Sequence, residues 1–134
     1  MLKKTITYTD YNGLERTESF YFNLTKSELL KMELSTTGGL TEMIQRVSET
    51  MDAPVIMKLF EDLILKSYGE KSADGKRFIK SDELSTAFAQ TEAYDALFYE
   101  LATDAKAAAD FFKAIVPADA AEQIDKANHP ALKN

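Results

Sequence analysis

Two kinds of pattern divide the chain. From Leu2 to Leu24 it is rich in Thr, Ile, Tyr and Phe, the composition of strands, and from Thr25 onward apolar positions recur at the three- and four-residue spacings of helices. Between the two predicted strands, near Lys3–Thr9 and Leu14–Phe22, lies Asp10-Tyr11-Asn12-Gly13. Asn12-Gly13 supplies the positive φ that a tight turn needs, and Asp10 is placed to bond the turn's own backbone. Ser19-Phe20-Tyr21-Phe22 is too apolar for clean alternation, which predicts that both faces of the second strand are partly covered. An isolated two-stranded ribbon is marginal in water, so this hairpin is expected to lie on the helices or to gain strands from another copy.

Thr25-Lys26-Ser27-Glu28 has the form of a capping box and starts the first predicted helix, which carries Leu29, Leu30, Met32 and Leu34 and ends at Gly38-Gly39. Leu40, Met43, Ile44, Val47 and Met51 then predict a second helix through about Thr50. Asp52 and Pro54 open a third, from about Ala53 to Ser67, whose wide apolar arc of Val55, Ile56, Leu59, Phe60, Leu63 and Ile64 predicts deep burial. A polar loop follows, in which Gly69 stands where a C-cap glycine belongs and Asp74-Gly75 marks a turn. Ser81 caps a short fourth helix carrying Leu84 and Phe88. Thr91 caps a fifth with the stripe Tyr94, Leu97, Phe98, Leu101, and Thr103 or Asp104 a sixth that Pro117 stops. The reading is α+β, mainly α: an N-terminal β-hairpin packed on a bundle of about six helices. Residues 1–116 form one domain, with the hairpin over 1–24 and helices over 25–116, and residues 117–134 form a weakly ordered tail.

Composition changes this picture little but narrows the function. With 134 residues, 45% hydrophobic and 28% charged, the chain is long and apolar enough for a single ordered core. It has no cysteine, which excludes disulfides and thiolate metal sites, and a formal net charge of −6, which opposes binding to nucleic acid. The segment after Met1 is too polar for a signal peptide, and no apolar run approaches the length that spans a bilayer, so no membrane association and a cytosolic location are expected.

No constellation of catalytic residues is apparent, and no enzymatic activity or cofactor is expected. Aligning Gly75 with the glycine of a calcium-binding loop puts Glu70, Ser72 and Asp74 at ligand positions, but the closing bidentate carboxylate falls on Ser81, so the segment reads as a structural turn. Glu92, Asp95 and Glu100 interleave with the apolar stripe of the fifth helix and read as a solvated face. The adjacent Phe111 and Phe112 point about 100° apart on a narrow, Ala-rich helix. One of them is therefore a candidate, beside Ile115 and Val116, for an exposed apolar patch that receives a partner; the alternative is that the C-terminal tail covers both.

The words TITYTDYNG, FNLTKSEL, TGGLTEMI, SYGEKSADGKRFIKSDEL and FAQTEAYDALFYELATDAKAAADFF, with the VPAD that follows, resemble a family of small proteins of tailed bacteriophages (siphoviruses) of Gram-positive hosts, the tail assembly chaperones. The likeness runs from about Leu2 to Asp119. It implies a non-catalytic protein of the host bacterial cytoplasm, absent from the mature virion, that binds the tape measure protein during tail morphogenesis, with the tail tube protein a second candidate partner, self-associates, and is often extended by frameshifting. It carries over no binding residues. The partner surface expected from the residues themselves is Tyr94, Leu97, Phe98, Phe111, Phe112, Ile115 and Val116, with the open edge of the hairpin. Two other classes fit the same features: a structural virion component such as a tail completion or adaptor protein, and a phage protein that binds and regulates a host protein.

Overall fold

The computed structural model describes residues 1–35 and 53–117. Strands β1 (Leu2–Thr9) and β2 (Glu15–Phe22) are followed by helices α1 (Lys26–Ser35) and α2 (Ala53–Ser67), then by the short strands β3 (Tyr68–Lys71) and β4 (Phe78–Ile79). Helices α3 (Asp82–Ala89), α4 (Glu92–Thr103) and α5 (Ala105–Ile115) complete the described chain. The fold is α+β, with five helices among the described residues. The helix expected over Leu40–Thr50, the Gly38-Gly39 joint and the tail beyond Pro117 lie outside them.

The hairpin forms as expected. β1 and β2 pair antiparallel without interruption from Leu2↔Phe22 to Thr9↔Glu15. Asp10 Oδ1 accepts from the amides of Asn12 at 2.9 Å and Leu14 at 3.0 Å, and Gly13 takes a φ of 82°, a conformation that costs glycine nothing.

The ribbon gains two further strands from its own chain. β2 pairs on its other side with β3, through Tyr21↔Gly69 and Phe22↔Tyr68, and β3 with β4, giving one four-stranded antiparallel sheet in the order β1-β2-β3-β4. Gly69 is therefore a strand residue and not a helix cap. It is buried, and a Cβ there would lie 2.7 Å from Phe78 Cε2 and 2.8 Å from the Ile79 carbonyl oxygen. The residue must be bare because β4 crosses so closely. The Asp74-Gly75 turn closes this second hairpin, with Gly75 at φ 75°.

The helix starts agree with the capping pattern. Thr25 Oγ1 accepts from the Glu28 amide at 3.1 Å while Glu28 Oε1 accepts from the Thr25 amide at 2.9 Å. Ser81, Thr91 and Asp104 cap α3, α4 and α5 through their side-chain oxygens. In α2 burial concentrates at Leu59, Leu63 and Ile64, whereas Pro54, Met57 and Lys58 are exposed.

The helices cover one face of the sheet. Residues 2, 4, 6 and 8 of β1 point toward them, and Phe20 and Phe22 of β2 share that side. At its centre is an aromatic cluster: Tyr68 stacks on Phe88 at 4.3 Å, Phe22 meets Phe111 edge-on at 5.3 Å, and Tyr94 meets Phe88 edge-on at 5.7 Å. Such pairs add about 0.5–1.5 kcal/mol each beyond the area they bury. On the second strand's other face, Tyr21 is half-buried beneath the Lys71 ammonium, 5.4 Å from the ring centroid. Both faces of that strand end are thus partly covered.

Candidate interaction surface

The side chains expected to meet a partner lie mostly inside. Leu97, Phe111, Phe112, Ile115 and Val116 are buried core residues, and Tyr94 and Phe98 are half-buried against them. Phe111 and Phe112 are 7% and 9% exposed, so neither is the exposed member of the pair. The physical reason is that α5 packs on α4 and also reaches β1, so a wider arc of it is covered than one neighbour would cover, and both adjacent phenylalanines fit within that arc.

The exposed aromatic and aliphatic side chains are elsewhere. Tyr11 and Leu14, at the tip of the β1–β2 hairpin, are 76% and 59% exposed, and Tyr99 on α4 is 69% exposed. The residue pattern contained a signal for each. Tyr11 sits inside a turn with no core to enter, and Tyr99 falls outside the Tyr94-Leu97-Phe98-Leu101 stripe. The Tyr11 phenol has its pKa raised by the Glu92 carboxylate at the start of α4.

The sheet face away from the helices is polar and regular. Thr5 Oγ1 and Ser19 Oγ are 3.0 Å apart, and Thr7 Oγ1 and Thr17 Oγ1 are 2.9 Å apart, forming a ladder of exposed hydroxyl pairs. The acids of α4 are partly engaged at the sheet, with Glu100 paired to Lys4 at 2.8 Å.

The Asp74 carboxylate is occupied by its own turn. Its Oδ1 accepts from the Ser72 hydroxyl at 2.7 Å and the Lys76 amide at 3.0 Å, and these bonds hold the carboxyl below its ordinary pKa. Among the described residues no three His, Cys, Asp or Glu side chains are grouped to hold a metal ion. The open groove between α2 and α3 is bordered by Asp62, Lys66, Lys80, Asp82 and Ser85. Its charges have both signs and converge on no point. Lys80 is already committed, donating to Glu28 Oε2 at 2.7 Å and the Asn23 carbonyl at 2.6 Å. No helix among the described residues is long and apolar enough to cross a membrane.

Fold and surface together define a small α+β domain with an aromatic core, whose surface offers a regular sheet edge and an exposed aromatic tip. The chain belongs to the phage tail assembly chaperone family, whose model matches residues 1–134. That match bears out the resemblance carried by TITYTDYNG and SYGEKSADGKRFIKSDEL. Neither a curated protein nor a solved structure matches the chain.

Proposed function

We propose that the chain binds the tape measure protein in the host cytoplasm while the tail is assembled, keeps it soluble until the tube polymerises around it, and leaves before the particle is complete. The match of the family over residues 1–134 carries this reading. A holding role requires binding surface and a charge that keeps complexes dispersed, here a formal net −6, and it requires no covalent chemistry.

The burial of Phe112 and Ile115 moves the sites to test. Serine at either position would open a cavity in the core and damage the fold before it reported on a client. Tyr11, Leu14 and Tyr99 are exposed and can be changed without that confusion.

The test is co-expression of the tagged chain with the tape measure protein, followed by its retention on the tag and its solubility. Retention by the wild type, weakened by Tyr11→Ser and Tyr99→Ser at unchanged circular dichroism, is expected. Purified particles should lack the chain by mass spectrometry. Its presence there at fixed stoichiometry, with no retention of the tape measure protein, would make it a structural virion component. Retention of a host protein from uninfected lysate in place of the tape measure protein would make it a host-directed regulator.

A further inference from the structure

At the end of the outer sheet face away from the hairpin tip, the hydroxyl ladder gives way to rings and cations. Tyr21 stands between Lys3 of β1 and the bare Gly69 of β3. The Phe78 ring lies over that glycine, since a Cβ on Gly69 would point into it. Lys71, paired with Phe78, holds its ammonium 5.4 Å from the Tyr21 ring centroid, and the Lys80 ammonium stands 5.7 Å from the Phe78 centroid. Both rings are only half-buried.

The charge here is opposite to that of the molecule. Lys80 is paired with Glu28, but Lys3 and Lys71 are exposed and form no ion pair among the described residues. The outward positions of β1 and β2 hold one acid, Glu15, at the far end of the sheet. In a chain of formal net charge −6 this is a local excess of positive charge beside partly exposed rings. Such a surface fits a segment that carries carboxylates and an apolar side chain.

The chain supplies that segment at that place. The end of α5 lies at this end of the sheet, where the Leu24 amide donates to the Ile115 carbonyl at 2.7 Å and Lys80 Nζ donates to the Asn23 carbonyl at 2.6 Å. Beyond Pro117 the sequence reads Ala-Asp-Ala-Ala-Glu-Gln-Ile-Asp, with three acids, Asp119, Glu122 and Asp125, and no cation before Lys126. Extended, these eight residues reach at most about 26–29 Å. Tyr21 is three residues from Leu24, about 10 Å along the strand, and Lys71 lies two residues further on, about 17 Å in all. The Phe111–Val116 stripe needs no cover from this segment, because the fold already buries Phe111, Phe112, Ile115 and Val116.

We propose that residues 118–125 form a strap across the outer sheet face, with Asp119 and Glu122 beside Lys3 and Lys71 and Ile124 against the Tyr21 and Phe78 rings. Pairs of exposed charges are screened by salt, so the strap is an exchangeable cover: it loosens as ionic strength rises and uncovers the two rings.

The test uses the full chain, whose lack of cysteine makes Ala121→Cys a unique site for a nitroxide label. At low salt the label should broaden the amide resonances of Tyr21, Lys71 and Phe78 several-fold more than those of Thr9 and Glu15 at the far end. Lys3→Glu with Lys71→Glu, or Asp119→Lys with Glu122→Lys, should each remove the broadening at unchanged circular dichroism, and combining all four reversals should restore it. No selective broadening, broadening centred on another surface, or broadening indifferent to both pairs of reversals overturns the proposal. Mixing labelled chains with unlabelled, isotope-enriched ones separates a second copy's tail: broadening that persists at full strength in the enriched chains assigns the contact between molecules and overturns the strap. Each result leaves the proposed function standing, since the tape measure protein takes no part in the test.

Discussion

Glu28 performs two tasks with one carboxylate. One oxygen closes the capping box on the Thr25 amide and the other binds Lys80 at 2.7 Å, which ties the start of α1 to the segment just before α3. Burial opposes its ionisation, but the bonds from Lys80 and the Thr25 amide outweigh burial and hold its pKa below the ordinary 4.5. The sign of the consequence follows from proton counting. Just below the ordinary value the unfolded chain binds this proton and the folded chain does not, so the contribution to stability is full above that value and is lost as pH falls through the folded pKa. Glu28→Gln should therefore be less stable than wild type at neutral pH, and the difference should shrink as the solution is acidified. Urea midpoints measured over a pH series check this; parallel curves for the two proteins would remove Glu28 from the acid response. Asp10 and Asp74 are shifted the same way, but both sit in surface turns, Asp74 exposed and Asp10 half-buried, so salt and solvent screen their share.

At the scale of elements, what could be read from the residues was what is locally determined. The caps at Thr25, Ser81, Thr91 and Asp104 and the stripes of α2 and α4 sit within one or two turns of chain, and the β1–β2 hairpin is set by its own turn. β3 and β4 could not be read this way. Tyr68-Gly69-Glu70-Lys71 is short and half polar, and a glycine just after a helix has the local meaning of a cap. It becomes a strand only because Tyr21 and Phe22 lie far upstream to receive it. The same limit hid the burial of the α5 stripe: the alternation of one exposed and one buried phenylalanine at Phe111-Phe112 holds for a helix with a single neighbour, and α5 has two. Gly69 offers the direct check on this junction. Gly69→Ala would press a methyl group against the Phe78 ring and the Ile79 backbone, and because backbone cannot swing aside the expected cost is about 1–3 kcal/mol, in the range of overpacked cores. Had Gly69 been a helix cap in an open loop, alanine would instead have met no neighbour. Chemical denaturation of the variant, with amide exchange at Gly69 and Glu70, separates the two, and an unchanged midpoint would contradict the close crossing of β4.

The molecule as a whole is tied at one short segment. The Asn23 amide donates to the Ser67 carbonyl at 2.8 Å and the Leu24 amide to the Ile115 carbonyl at 2.7 Å, so the exit from β2 is bonded to the ends of both α2 and α5. Leu24 is 1% exposed and Phe22 fully buried, in a core that also takes Ile6 from β1, Phe88 from α3 and Leu97 and Leu101 from α4. Among the described residues the buried side chains form one cluster to which sheet and helices both contribute, and such a domain is expected to unfold as one cooperative unit. Far-ultraviolet dichroism, which follows the helices, and the fluorescence of the six tyrosines, which follows the sheet, tip and α4, should then give coincident urea transitions with a slope of about 1–3 kcal/mol per molar. The outcome bears on how a client would be held under the proposed function. If the transitions coincide, α4 and α5 do not lift from the sheet at low cost, Phe112 and Ile115 stay sealed, and binding must use the tip, the hydroxyl-lined face and the β1 edge. If instead tyrosine and helix signals separate, with Phe111–Val116 amides exchanging through an opening well below global unfolding, the buried stripe becomes reachable, and a client could be captured by the same side chains that close the core in its absence.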